Sequence, residues 1–202
     1  RKVLCFGRGA HGRLGNATNV NKNLPVQVKK WPLSAEGMQF QQIVCGGAHT
    51  VVLAYKQVEK CLAYPFGVIT AVYSWGFGRN GQLGTGLMVD SFVPIKCHLP
   101  KSEIIVEVSA GRSWSMARGI GGNVYSWGKG LRGQLGQEEG HRFSLAPREL
   151  NPYASFLSIH SNYAHNVGIT TPRKLYNLHR VEYLASKMGD LFNPFTVSKE
   201  LL

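Results

Sequence analysis

Residues 76–81 of this 202-residue chain read Gly-Phe-Gly-Arg-Asn-Gly. That is the G-x-G-x-x-G spacing on which a dinucleotide pyrophosphate can rest. The chemistry needs a helix starting at the third glycine, whose free N–H groups hold the phosphates, and an acid about 20 residues further on for the ribose. Neither is present: Gln82-Leu83-Gly84 continues as a turn, and the stretch around Ile95, Lys96 and Cys97 has no acid. Other reactive side chains are no better arranged. Glu138 and Glu139 are neighbours in a loop, not a spaced acid and base. Ser113 and Ser115 lack the G-x-S-x-G context of a nucleophile elbow. The four cysteines (Cys5, Cys45, Cys61 and Cys97) form no C-x-x-C pair and no zinc-like spacing with histidine. The cysteines have apolar neighbours, as at Leu4-Cys5-Phe6 and Val44-Cys45, so all four are expected to be buried thiols in a reducing compartment, without a disulfide framework. The expectation is a chain that is not an enzyme and needs no metal or cofactor.

What those glycines serve is visible one level up. The stretch VYSWGFGRNGQLG at 72–84 returns as VYSWGKGLRGQLG at 124–136, identical at ten of thirteen positions. A looser copy, VLCFGRGAHGRLG, opens the chain at Val3. A second block follows each copy: IVCGGAHTVVLA from 43, VSAGRSWSMA from 108 and IHSNYAHNVGI from 159. Aligned, these blocks put Gly46, Gly111 and Asn162 three residues before His49, Trp114 and His165. Between the blocks lies a variable stretch holding Pro25, Pro94 or Pro147. The units run at about 3–54, 72–123 and 124–169, with 55–71 inserted. The insertion separates two units or lengthens a hairpin within one.

A unit of about fifty residues with four short strand-like runs has the size of a propeller blade. Twenty-four glycines and many aromatics suit tight turns between short strands, so the fold class is all-β. Alternation along a strand puts Tyr73/Tyr125 and Trp75/Trp127 on one face, and Val72/Val124 and Ser74/Ser126 on the other. Leu83 and Leu135, with Leu14 in the first copy, fold back as apolar plugs. Trp75, Trp127, Gly76, Gly84, Gly128, Gly136, His49 and His165 are therefore expected to build the repeat.

The VYSWG…GQLG motif, the proline segment and the glycine-x-x-His corner together resemble the repeat of the regulator of chromosome condensation family, over about residues 3–169. The resemblance implies a β-propeller, usually of seven such repeats. Its members include an exchange factor for a small GTPase on chromatin, a plant ultraviolet-B photoreceptor, repeats attached to ubiquitin ligases, and mitochondrial proteins linked to organellar RNA and ribosomes. Fold alone therefore leaves the function open. The departures are informative. Only three repeats are present, so the expectation is a partial ring. Its open edges would be met by repeats missing from this sequence, by a partner, or by self-association; the start at Arg1, without an initiator Met, points to the first two. Leu4-Cys5-Phe6 replaces Tyr-Ser-Trp, Trp114 takes a histidine's corner, and Asn162 a glycine's. The photoreceptor's corner needs Trp followed by Arg-His-Thr, whereas this chain has Gly111-Arg112-Ser113-Trp114-Ser115.

The formal net charge is +12, and most of the excess lies early. Residues 1–35 carry Arg1, Lys2, Arg8, Arg13, Lys22, Lys29 and Lys30 and no acid. One-sided charge of this kind draws polyanions or acidic protein faces. After Ile169 the repeat stops. Leu175, Leu178, Val181, Leu184 and Met188 recur at helical spacing, so 170–202 is expected to form an amphipathic helix that packs on the propeller or docks on another subunit. No apolar run approaches the roughly 20 residues of a membrane span. The function expected is a non-enzymatic scaffold within a larger assembly, such as the ribonucleoprotein of an organellar ribosome. It would bind protein subunits or RNA through the basic first third and the helix. The compartment expected is intracellular: a mitochondrial or other organellar matrix, or else the nucleus. The alternative is a nucleotide exchange factor for a small GTPase, which the scarcity of acids disfavours.

Overall fold

The computed structural model describes residues 2–62, 66–137, 142–150 and 154–172. Arg1 and the whole docking-helix segment, with Leu175, Leu178, Val181, Leu184 and Met188, lie outside the described residues. Within them the chain is all-β, as expected. Twelve strands follow in order: β1 Leu4–Gly7, β2 Lys22–Gln27, β3 Gln39–Cys45, β4 His49–Gln57, β5 Val68–Gly76, β6 Ser91–Lys96, β7 Ile105–Ala110, β8 Trp114–Gly119, β9 Val124–Lys129, β10 Phe143–Glu149, β11 Ala154–Ser161 and β12 Asn166–Pro172. Two short 3-10 turns, Ala10–Gly12 and Leu33–Ala35, are the only helical elements among the described residues.

The strands form two complete sheets, β3-β4-β5-β6 and β7-β8-β9-β10, flanked by two pairs, β1-β2 and β11-β12. All neighbours are antiparallel. The sheets do not coincide with the sequence units. The copy at 3–54 gives β1 and β2 to one sheet and β3 and β4 to the next; the copy at 72–123 likewise splits between the two complete sheets. The offset is half a unit, because the second block of one copy pairs with the motif strand of the next: His49 faces Gly76, and Trp114 faces Gly128. Residues 55–71 prove to lengthen a hairpin: β4 and β5 stay in register out to Gln57 and Val68.

The core lies in layers between successive sheets. Val51, Leu53, Val72, Ile105, Val108, Ala117 and Trp127 fill the gap between the complete sheets. Val3, Val28, Val52 and Trp75 fill the gap toward β1-β2, and Met116, Val124, Leu135 and Ile159 the gap toward β11-β12. Each motif tryptophan points at the sheet before its own. Trp75 Nε1 donates to the carbonyl of Arg13 at 3.0 Å, and Trp127 Nε1 to that of Gln82 at 2.9 Å. The last glycine of each motif makes room for that ring. A Cβ on Gly15 would lie 2.6 Å from Trp75 Nε1, and one on Gly84 would lie 2.7 Å from Trp127 Nε1. Both glycines also sit at positive φ, 64° and 68°, where a side chain is strained. The motif serine closes its own hairpin: Ser74 Oγ donates to Leu83 O at 2.7 Å, and Ser126 Oγ to Leu135 O at 2.6 Å.

Candidate functional site

The turns at one end of the sheets enclose a cleft of about 720 Å³. Three motif turns and three corners build it, one of each from every copy. The motif turns supply Arg8, His11 and Arg13, then Phe77, Asn80 and Gln82, then Lys129, Leu131, Arg132 and Gln134; the corners supply Gly47, Arg112 and Tyr163. The backbone beneath is tied across copies. Phe77 N–H donates to Ala48 O at 2.8 Å, Lys129 N–H to Ser113 O at 2.9 Å and Gly47 N–H to Arg112 O at 3.2 Å. The floor is therefore fixed, and the side chains above it are what vary. Copies two and three differ over 72–84 and 124–136 at Phe77/Lys129, Arg79/Leu131 and Asn80/Arg132. Five of those six residues line the cleft; Arg79 lines the recess next to it. The shared residues build the sheets, and the variable ones face the opening.

The electrostatics are one-sided. Arg8, Arg13, Arg112, Lys129 and Arg132 line the cleft, and none of its described lining residues is a carboxylate. Among the described residues none of these five cations makes an ion pair. Arg13 is pinned by carbonyls instead, Nε to Ala10 O at 2.9 Å and Nη1 to Gly47 O at 3.3 Å. Its burial, and then the charge of Arg8, hold its pKa below the ordinary guanidinium value. Two aromatic surfaces stand among the charges. The Arg112 guanidinium lies 4.8 Å from the Tyr163 ring centre, and His11 meets Phe77 edge-on at 5.0 Å. Asp90 sits in the neighbouring recess, 3.3 Å from His11 and 3.6 Å from Arg79. No group of three or more His, Cys, Asp or Glu that would hold a metal ion occurs among the described residues.

The basic first third of the sequence does not form one surface. Arg8 and Arg13 reach the cleft, whereas Lys2, Lys29 and Lys30 lie at the other end of the β1-β2 pair, where Leu4 meets Gln27. Lys22, opposite Gly7, starts β2 but does not line the cleft. Three of the five cations, Arg112, Lys129 and Arg132, are inconspicuous in the sequence because they are spread over two copies and none is adjacent to another. Their shared turn positions were the available signal.

The corner residues also part company. His49 is buried, with Nε2 2.9 Å from Ser115 Oγ in the next copy. Trp114 reaches the same place one copy on, donating from Nε1 to Asn166 Oδ1 at 2.8 Å. His165, expected to play the same part, is exposed instead, since among the described residues no sheet packs beyond β12. Of the four cysteines, expected to be buried, only Cys97 is. Cys5 is partly covered, and Cys45 and Cys61 are exposed at the end of β3 and in the long hairpin. No described helix is long and apolar enough to cross a membrane, which leaves a β-barrel span untouched.

Comparison with known proteins agrees with this architecture. Residues 2–53 and 71–118 match the profile of the "Regulator of chromosome condensation (RCC1) repeat". The ultraviolet-B receptor UVR8 of Arabidopsis thaliana is 28% identical over 190 residues, covering 93% of this chain and 39% of the receptor. The probable E3 ubiquitin-protein ligase HERC4 of Homo sapiens is 30% identical over 155 residues, covering 77% of this chain and 13% of the ligase. The chain thus spans well under half the length of either relative. Among solved structures, Prp20p from Saccharomyces cerevisiae, studied with its binding to Gsp1p and histones, superposes with a TM-score of 0.68 at 18% identity, over 94% of this chain and 43% of Prp20p. At that identity the likeness speaks for the fold alone. Motif, half-unit offset and matched repeats lead to one statement: this chain belongs to the regulator of chromosome condensation repeat family.

Proposed function

We propose that this chain is a non-enzymatic interaction module of a larger intracellular assembly, and that its basic cleft is where it holds a polyanion, RNA within a ribonucleoprotein. One observation carries the reading. The positions at which the copies differ converge on a cleft with five cations and no described carboxylate. Cations neutralise phosphates, and exposed aromatic faces stack bases. Tyr163, 62% exposed beside Arg112, and Phe77 beside His11 offer such faces between the charges. An acidic protein segment would use the charges and leave the rings idle.

Fluorescence anisotropy with a labelled single-stranded RNA tests this. Arg112→Glu with Arg132→Glu is expected to weaken binding at least tenfold. Lys29→Glu with Lys30→Glu, at the other end of the β1-β2 pair, is expected to leave it within about twofold. Equal effects of the two pairs would mean that the cleft has no special part in binding. Acceleration of nucleotide release from a small GTPase by the chain would sink the non-enzymatic reading.

A further inference from the structure

The cleft is unevenly supplied with hydrogen-bond donors and acceptors. Its backbone oxygens are already engaged: Ala48 O by Phe77 N–H, Ser113 O by Lys129 N–H and Gly47 O by Arg13 Nη1. The Gln82 carbonyl accepts from Ser115 Oγ and Trp127 Nε1, and the Gln134 carbonyl accepts from Asn166 Nδ2. The five cations add N–H groups alone, since neither a guanidinium nor an ammonium can accept.

The motif glutamine tips the balance further. Gln82 Oε1 accepts from Asn80 N–H at 3.1 Å, and Gln134 Oε1 accepts from Arg132 N–H at 2.8 Å. These bonds fix which end of each amide faces its own turn, and they leave Nε2 as the end to use elsewhere. Gln82 lines the cleft yet is only 1% exposed, and its Nε2 has no partner among the described residues. A buried donor in that state is short of an acceptor. The first copy has Arg13 at the same motif position, so all three turns carry a donor there. Of the described lining side chains, the Asn80 amide and the hydroxyls of Ser113 and Tyr163 can turn to serve either way.

Resting on the RNA reading above, we propose that the cleft discriminates between bases and takes keto bases over amino bases: uracil over cytosine, and guanine over adenine. Uracil offers two carbonyl oxygens, and guanine offers O6 and N7 side by side, so either can meet the Gln82 Nε2 donor and an arginine. Cytosine and adenine put an exocyclic amine at the corresponding place, where it faces N–H groups and goes unpaired. Tyr163 or Phe77 holds the ring by stacking, which any base allows, and the amide at the floor reads the edge.

Anisotropy titrations of the 202-residue chain with oligouridine and oligocytidine of equal length test this, since the phosphates are the same in number and both bases are single rings. Oligouridine is expected to bind about fivefold tighter or better. An oligomer of 2-pyrimidinone, which has neither the O4 oxygen nor the N4 amine, should fall between the two. Gln82→Glu keeps an oxygen for Asn80 N–H and puts a second oxygen where the donor was. Both affinities then fall, and the preference for uridine should be lost or reversed. Gln134→Glu, at a half-buried position, asks the same question where Gln82→Glu does not fold. If neither oligomer binds, the RNA reading falls and this inference falls with it. Equal binding, tighter binding of oligocytidine, or an undiminished preference in the folded variants overturns the base preference and leaves the RNA reading standing.

Discussion

Trp127 shows how one side chain serves two sheets. Its ring is fully buried between the complete sheets, and its N–H is satisfied by a carbonyl of the preceding copy. Trp127→Ala is expected to cost about 3–5 kcal/mol, since it opens a cavity and removes one of the two hydrogen bonds to the Gln82 carbonyl, leaving that from Ser115 Oγ; urea unfolding measures this. Gly84→Ala approaches the same ring from the other side. It meets both a positive φ and the indole edge, and is expected to cost about 2 kcal/mol or more, while Gly121→Ala, with open space around it and no positive φ, serves as the control. His49 gives a pH signature. Burial pushes its imidazole down to about 4, against about 6.5 in an unfolded chain. Between those values the unfolded chain binds a proton that the folded one refuses. Stability therefore falls as pH drops from about 6.5 to 4, by up to about 3 kcal/mol. Replacing His49 with Gln should flatten that part of the stability–pH curve, whatever it does to the stability at neutral pH.

At the scale of strands and sheets, protection should follow position within a sheet. β4, β5, β8 and β9 have a neighbour on each side, whereas β6 and β10 are outer edges. Native-state hydrogen exchange should find the amides of the four inner strands opening only with global unfolding, and those of β6 and β10 opening at lower cost. Much of this layout was legible in the sequence. Val72-Tyr73-Ser74-Trp75 alternates cleanly, and its buried faces are as the alternation predicts. The half-unit offset was not legible. A repeated motif marks a period but says nothing of which strand accepts which hydrogen bonds, and here the pairing joins His49 of one copy to Gly76 of the next. The cleft was hidden for a related reason. Lys29 and Lys30 are conspicuous because they are adjacent, yet β2 carries them away from Arg8 and Arg13. Arg112, Lys129 and Arg132 are inconspicuous because the fold, not the sequence, gathers them.

At the scale of the molecule, the excess charge acquires a direction. Five cations at one end of the sheets make a focus for a polyanion, and binding there should be steeply salt-dependent. If all five contact phosphates, the logarithm of the binding constant for single-stranded RNA should fall with log salt at a slope of about −3.5. Removing Arg112 and Arg132 should bring the slope to about −2. A titration at several salt concentrations reads both numbers, and a slope near zero would mean that the contacts are not to phosphates.

The half-unit offset has a consequence for how such a chain can change over generations. Each copy supplies the outer half of one sheet and the inner half of the next, so it acts as a stitch across a seam. An in-frame duplication or loss of one whole copy therefore leaves each sheet between neighbouring copies four-stranded and each motif tryptophan within it seated. The number of sheets can rise or fall by one without any sheet being broken. The turn positions that differ between copies, Phe77/Lys129, Arg79/Leu131 and Asn80/Arg132, then diverge freely, because the tryptophan seats are built from other residues of the turn.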